Sequence, residues 1–175
     1  MFDINNSRDF YQKLVDEYED LLKNPTSGRS AINCATTAYH MAEWVWGDWL
    51  KADAVTRQNL GSLIKIDDFK SWLGEASLFF DAMQAVANGS KHYVRKQFDQ
   101  TQRIEGWVEA GYVEPGYAQE GMLLVNTSKG NDPNWGDFKT MAGHMVLFWK
   151  GFIEEYGPYS DLPLPPAEVA YFEQG

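Results

Sequence analysis

The chain holds one cysteine, Cys34, and three histidines, His40, His92 and His144, among 175 residues. A single thiol excludes an intrachain disulfide and any metal site built from cysteines. Cys34 sits in the small-residue run SAINCATTAY and reads as a buried hydrophobe. Cations are scarce too: 15 Lys and Arg stand against 25 Asp and Glu, a net charge of −10. That balance excludes a broad nucleic-acid surface, because phosphate contacts need clustered cations, and leaves room only for a local basic patch. No run approaches the roughly 18 apolar residues of a membrane-crossing helix, so no membrane partner is expected. The opening residues MFDINNSRDF lack the charged-then-apolar layout of a secretion signal, and a cytoplasmic location is expected.

Apolar and aromatic side chains are abundant, at 44% and 15% of the chain. Such a composition excludes disorder, and this length suits one domain with a full core. The spacing of Phe10, Leu14, Tyr18 and Leu21 or Leu22 predicts a first helix, capped by Asn6 or Ser7 and stopped at Asn24-Pro25. A second helix is expected from about Ser30 to Leu50. Its first half is rich in small residues, and Trp44, Trp46 and Trp49 cover more than one face of its second half, which predicts enclosure on several sides. The segment from Lys51 to Lys65 reads as a connector with a short helical turn. Asp67 is the expected N-cap of a third long helix with an apolar stripe of Phe69, Leu73, Ala76, Phe80, Met83 and Ala87. Asp137 is the expected cap of a last helix carrying Met141, Met145, Phe148, Phe152 and Ile153.

Between these helices the pattern changes. YVRKQF, RIEGWVEAG and GMLLVNT are short, rich in Val, Tyr, Phe and Trp, and separated by Gly, Pro and polar turns, which predicts a small antiparallel hairpin or meander. SKGNDPNWGD reads as a loop. The expected fold is mainly α: a four-helix bundle with a small antiparallel β insertion, about 93–126, before the last long helix. Residues 1–158 are expected to form one domain, and the proline-rich stretch 159–175 an extended arm on the bundle or on a partner.

Three sets of residues carry chemistry. The first is AVANGSKHYVRK, residues 85–96. Asn88 and His92 are four apart and share a face if the helix continues, and Lys91, Arg95 and Lys96 place three cations in six residues. His92 has the acid–base range to take a proton near neutral pH, and the cations suit a developing phosphorane charge, which together are what RNA cleavage through its own 2′-hydroxyl requires. The same cations also complement a helix C-terminus. The second set is the polar stripe Asn33, Thr37, His40 and Trp44, spaced four, three and four, so that one helix face forms either a boundary against another helix or a ligand-pocket wall. The third is His40, His92 and His144, on three different expected helices, an acceptable zinc or nickel set if they converge, with Glu43 one turn after His40.

A helical bundle with a polar residue, three variable positions and then His late in its third helix resembles the HEPN superfamily. Its usual motif is Arg, a polar residue, three variable residues, then His. Asn88-Gly-Ser-Lys-His92 matches the last five positions, and Ala87 stands where the family carries Arg. The resemblance implies a metal-independent RNase site without a cofactor, with His92 central, Asn88 orienting and Lys91 or Arg95 on the phosphate. It also implies a homodimer whose motifs meet across the interface, and a place in a toxin–antitoxin or phage-defence system. The three histidines are similar to the DinB-like metal-binding bundles, which carry a His pair four apart in the last helix, although here position 148 is Phe. Outside catalysis, the acidic balance suits an immunity- or inhibitor-type protein presenting carboxylates to a basic protein partner.

Overall fold

The computed structural model describes residues 3–89, 101–104, 121–128 and 134–167. The chain is mainly helical, with a small three-stranded antiparallel sheet before the last helix. Helix α1 spans Ser7–Lys23 and is capped by Asn6, whose side chain accepts from the Asp9 amide at 2.8 Å. Its buried face is Tyr11, Leu14, Val15, Tyr18 and Leu21. Tyr11 thus holds the core position expected of Phe10, which lies partly buried and stacks on Trp44 at 4.8 Å.

Helix α2, Gly28–Val45, starts two residues before Ser30 because the Ser27 hydroxyl accepts from the Ser30 amide at 3.2 Å. Ala31, Cys34, Ala35, Ala38 and Ala42 are all buried, and these small side chains let α2 run through the middle of the molecule. A π-helical turn, Trp46–Leu50, prolongs it. The three tryptophans of α2 and this turn reach three different neighbours. Trp44 meets Phe10 of α1, Trp46 stacks on Phe69 at 6.1 Å, and Trp49 stacks on Phe152 at 6.1 Å. The connector forms a short helix, α3, Ala54–Asn59, capped by Asp53.

The third long helix is two helices. α4 spans Ile66–Ala76 and α5 spans Phe80–Gly89. The break lies at Ser77, which is extended, and whose hydroxyl donates to the Met145 sulfur at 3.1 Å and accepts from the Phe79 amide at 3.4 Å. The Ser77 amide still closes the last ladder bond of α4, to the Leu73 carbonyl at 2.9 Å, and the extended backbone of Ser77 ends the helix there. Ala76 is exposed and Ser77 is buried in its place. Lys65, not Asp67, is the N-cap of α4, and Asp68 accepts from the Ile64 and Lys65 amides at 3.0 Å each.

Strands β1, Thr101–Ile104, β2, Met122–Asn126, and β3, Trp135–Asp137, lie in that order, with Gln102 opposite Leu124 and Val125 opposite Gly136. β3 falls within the segment expected as a loop. Its third residue, Asp137, also caps the last helix, α6, Phe138–Tyr156, by accepting from the Thr140 amide at 3.0 Å and hydroxyl at 2.8 Å. The expected strand YVRKQF, residues 93–98, lies outside the described residues, as does most of RIEGWVEAG. On α6 the core centre is Trp149, fully buried, while Phe148 is half-buried.

The start of the proline-rich arm returns to the other end of the chain. Leu162 is buried, Asp161 pairs with Arg8 at 2.9 Å, and the Tyr159 hydroxyl donates to Asp48 at 2.9 Å. Residues 168–175 lie outside the described residues. Gly157, at the end of α6, is tightly enclosed: a Cβ there falls 2.7 Å from the Ile153 carbonyl oxygen and 3.1 Å from the Trp49 ring. A backbone carbonyl and a packed indole cannot move aside cheaply. Gly157→Ala is therefore expected to lower stability by about 1–3 kcal/mol. Gly151→Ala, in the exposed interior of α6 where a Cβ meets nothing within 4 Å, is expected to raise it by about 0.5–1 kcal/mol. Urea midpoints shifting in opposite directions at constant m-value would bear out the pair.

Candidate functional site

The basic stretch begins where α5 ends. Within α5, Phe80, Met83, Val86 and Ala87 are buried, and Asn88 is exposed in the last turn. Ala87 and Asn88, adjacent in sequence, therefore point in opposite senses, one into the core and one to solvent. An arginine at position 87 has no route to a substrate from that fully buried site. Lys91, His92, Arg95 and Lys96 lie outside the described residues, so Asn88 alone of the four expected catalytic residues has a structural position. Between residues 88 and 104 the chain carries four cations, Lys91, Arg95, Lys96 and Arg103, and one acid, Asp99, a local reversal of its overall charge.

Beside this point lies a cleft of about 310 Å³. Its helical wall is the first turn of α2 and the end of α5, through Gly28, Ala31, Ile32, Val86 and Gly89. Its other wall is strands β1 and β2, and Phe138 at the start of α6 also lines it. Thr101, Gln102 and Arg103 are exposed at the rim. None of these rim residues is marked in the sequence. The one signal that could have pointed to them is the nearness in sequence of Arg103 to the three cations of the preceding segment.

The polar stripe of α2 turns toward α1. Thr37 is buried and accepts from Lys13 Nζ at 2.7 Å, and the same ammonium donates to Glu17 at 2.7 Å. Trp44 lies flat on Phe10, with 16° between the rings, and its remaining edge joins Glu43, Gly47, Asp48 and Asn5 in a surface depression of about 370 Å³. Asn33 is half-buried. Beside Trp44, at His40, the polar chemistry continues around the helix. His40 Nδ1 lies 2.9 Å from Glu43 Oε2, and Lys70 of α4 donates to Glu43 Oε1 at 2.9 Å and to the Tyr39 hydroxyl at 3.3 Å. Gln84 of α5 donates to the same hydroxyl at 3.2 Å, and the Lys70 ammonium rides over the Tyr39 ring at 4.8 Å.

Partial burial pushes the Glu43 carboxyl up, but the hydrogen bonds from Lys70 and His40 outweigh it and hold the group below its ordinary value. Burial pulls Lys70 down, and its bonds to Glu43 and Tyr39 outweigh that pull, so the ammonium is kept charged above its usual range. The network ties α2, α4 and α5 together at one surface. Lys70 and Gln84 bear no recognisable motif, and only the packing of three helices reveals them.

Of the three histidines, His40 is bound to Glu43, His144 of α6 lies against the Phe79 ring at 5.3 Å, and His92 is outside the described residues. Among the described residues no group of three His, Cys, Asp or Glu side chains is placed to hold a metal ion. Cys34 is fully buried, and burial, with Glu17 nearby, pushes its thiol up to about 12, so the thiolate is not accessible at neutral pH. Among the described residues no helix is long and apolar enough to cross a membrane.

Fold and site together define a mainly helical protein with a short sheet and, among the described residues, a cleft where helices α2 and α5 meet that sheet. Comparison of the chain with protein-family models, with curated proteins and with solved structures gives no match.

Proposed function

We propose that the chain is a HEPN-like, metal-independent RNase or RNA-binding component of a defence system, acting in the cytoplasm as a homodimer. In this reading α1, α2, the α4–α5 pair and α6 form a four-helix bundle, and the site lies at the end of α5. The observation that carries it is the exposure of Asn88 in the last turn of α5, immediately before a cation-rich segment in an otherwise acidic chain. His92 removes the proton from an RNA 2′-hydroxyl, and Asn88 orients the strand. The alkoxide attacks the adjacent phosphorus, the bond to the 5′-oxygen breaks as that oxygen takes a proton from solvent water, and a 2′,3′-cyclic phosphate and a 5′-hydroxyl remain. With Ala87 sealed in the core, the charge on the phosphorane falls to Lys91 or Arg95.

The test is RNA cleavage by the purified chain in EDTA. Wild type is expected to cleave, and His92→Ala to lose about 10²–10⁴-fold in rate, the usual contribution of a general base. Equal cleavage by both proteins, or none by either, would overturn the reading. A second reading is an immunity-type protein that binds a basic partner, and it is favoured by the exposed carboxylates Asp16, Glu19 and Asp20 on the outer face of α1.

A further inference from the structure

We infer that Asn88-Gly89 is a site of spontaneous covalent modification, where the Asn88 side chain deamidates through a cyclic imide to aspartate and isoaspartate. Among the asparagines of the chain only Asn88 is followed by glycine. The reaction brings the side-chain carbonyl of an asparagine onto the backbone nitrogen of the next residue, and a next residue without a Cβ leaves that approach open. Asn88 is exposed in the last turn of α5, and Gly89 is the last residue of that helix. Inside a helix the backbone is held away from the attacking geometry. At a helix end the last turn frays, and opening it costs little. Two other asparagines show what prevents the reaction. Asn24 precedes Pro25, whose nitrogen carries no hydrogen to lose. The Asn126 side-chain oxygen accepts from the Ser128 and Asn134 amides at 3.0 Å each, which fixes its carbonyl, and the β-branched Thr127 follows it.

The only co-reactant is water. Hydroxide takes the proton from the Gly89 nitrogen, which attacks the side-chain carbonyl carbon of Asn88. A bond forms between that carbon and the Gly89 nitrogen, the bond to the side-chain nitrogen breaks, and ammonia leaves with a proton returned by water. Water then adds to one of the two carbonyls of the ring. Opening on one side gives aspartate, and opening on the other gives isoaspartate, whose main chain runs through the former side chain and is one carbon longer. Either product turns a neutral amide into a carboxylate. That charge appears at the C-terminal end of α5, where the helix dipole is already negative. It also appears just ahead of Lys91, Arg95 and Lys96 in the sequence, so the local excess of cations is reduced. One consequence rests on the RNase reading: the modification removes the amide that orients the strand, and the site ages out of use. The modification itself needs only Asn88, Gly89 and water.

The test ages the full chain in mildly alkaline buffer, native in one arm and unfolded by guanidinium chloride in the other. Peptide mapping by mass spectrometry follows residue 88 through time. Aspartate and isoaspartate are expected there, and Asn126 is expected to stay an amide in the native arm. The native rate at Asn88 is expected to lie within about tenfold of the unfolded rate, because a fraying helix end opens at a free energy near zero. Gly89→Ala is expected to slow conversion by about tenfold or more, since a Cβ on the attacking residue narrows the backbone turns open to it. A native chain that keeps its amide while the unfolded chain is converted overturns the inference, and so does equal conversion of wild type and Gly89→Ala. RNA cleavage by fresh and by aged chain keeps the two ideas apart. Conversion at residue 88 in a chain that never cleaves RNA overturns the RNase reading and leaves the modification standing. Cleavage by a chain that never converts does the reverse.

Discussion

Replacing Trp149 by alanine is expected to lower the stability of the chain by about 3–5 kcal/mol, the range for deleting a large buried aromatic side chain. Against a typical total of about 5–15 kcal/mol, that loss brings a domain close to its unfolding threshold. Trp149 is fully buried on α6 and meets four other rings: Phe69 of α4 at 6.5 Å, Phe80 of α5 at 6.5 Å, and Phe148 and Phe152 of its own helix at 5.5 and 5.9 Å. All four contacts are edge-on, the arrangement in which a positive ring edge meets a negative face. The indole nitrogen donates to the Ala38 carbonyl of α2 at 2.9 Å. One side chain therefore joins α2, α4, α5 and α6, and its removal leaves a cavity that no single neighbour can close. Trp149→Phe keeps an aromatic ring in the site and loses the hydrogen bond and part of the volume. It is expected to cost much less, about 1–2 kcal/mol. Urea denaturation followed by far-ultraviolet circular dichroism measures both. Equal losses for the two variants would show that the hydrogen bond, not the volume, dominates.

Asp48→Ala is expected to cost about 2–3 kcal/mol and to release the arm that follows α6. Within the π-helical turn, Asp48 Oδ2 accepts three hydrogen bonds: from the Ser7 amide at 2.9 Å, from the Ser7 hydroxyl at 2.7 Å and from the Tyr159 hydroxyl at 2.9 Å. Ser7 is fully buried, so losing the carboxylate strands two donors away from water. The same node makes stability depend on alkaline pH. Burial, then the hydrogen bond to Asp48, pushes the Tyr159 phenol up to about 12 from its ordinary 10. Between these values the unfolded chain has released the Tyr159 proton and the folded chain still holds it. The stabilisation is complete below pH 10 and is lost as pH rises toward 12. Tyr159→Phe is expected to flatten that part of the stability–pH curve relative to wild type, a comparison that cancels the other buried tyrosines. An unchanged slope would separate the arm from the alkaline transition. Limited proteolysis beyond Gly157 reads the release of the arm directly, and Asp48→Ala and Tyr159→Phe are both expected to accelerate it.

The helices were legible because their signals are local. Asn6 and Asp137 cap the helices that the pattern assigns to them, and the period of three to four residues marks the buried faces of α1 and α6. The break at Ser77 was not legible. Phe69, Leu73, Phe80, Met83 and Ala87 keep helical spacing across it, no Pro interrupts the run, and its one glycine, Gly74, lies inside α4 rather than at the break. The break exists because a hydroxyl finds the Met145 sulfur on a distant helix, and a sequence period is blind to such a bond. β3 was missed for a similar reason: Trp135-Gly-Asp137 is too short to show alternation, and it becomes a strand by pairing with β2.

For the candidate site, the sequence marked Asn88 and its basic continuation, and Thr37, His40 and Trp44 as one face. Which face remained open. The tertiary structure spends Thr37 and Trp44 on α1, joins His40 to Glu43 and Lys70, and opens a cleft whose rim residues carry no motif. By itself the sequence determined that this chain is mainly helical, where most of its helices begin, and where its scarce cations gather. Those are properties of neighbouring residues, set by caps, periods and charge. Only the tertiary structure decided that α2 lies at the centre, that Ala87 faces inward while Asn88 faces outward, and that Arg103 shares a cleft with α2. These follow from packing between segments far apart in the chain, where burial of apolar area and closure of specific hydrogen bonds choose among faces that local pattern leaves equivalent.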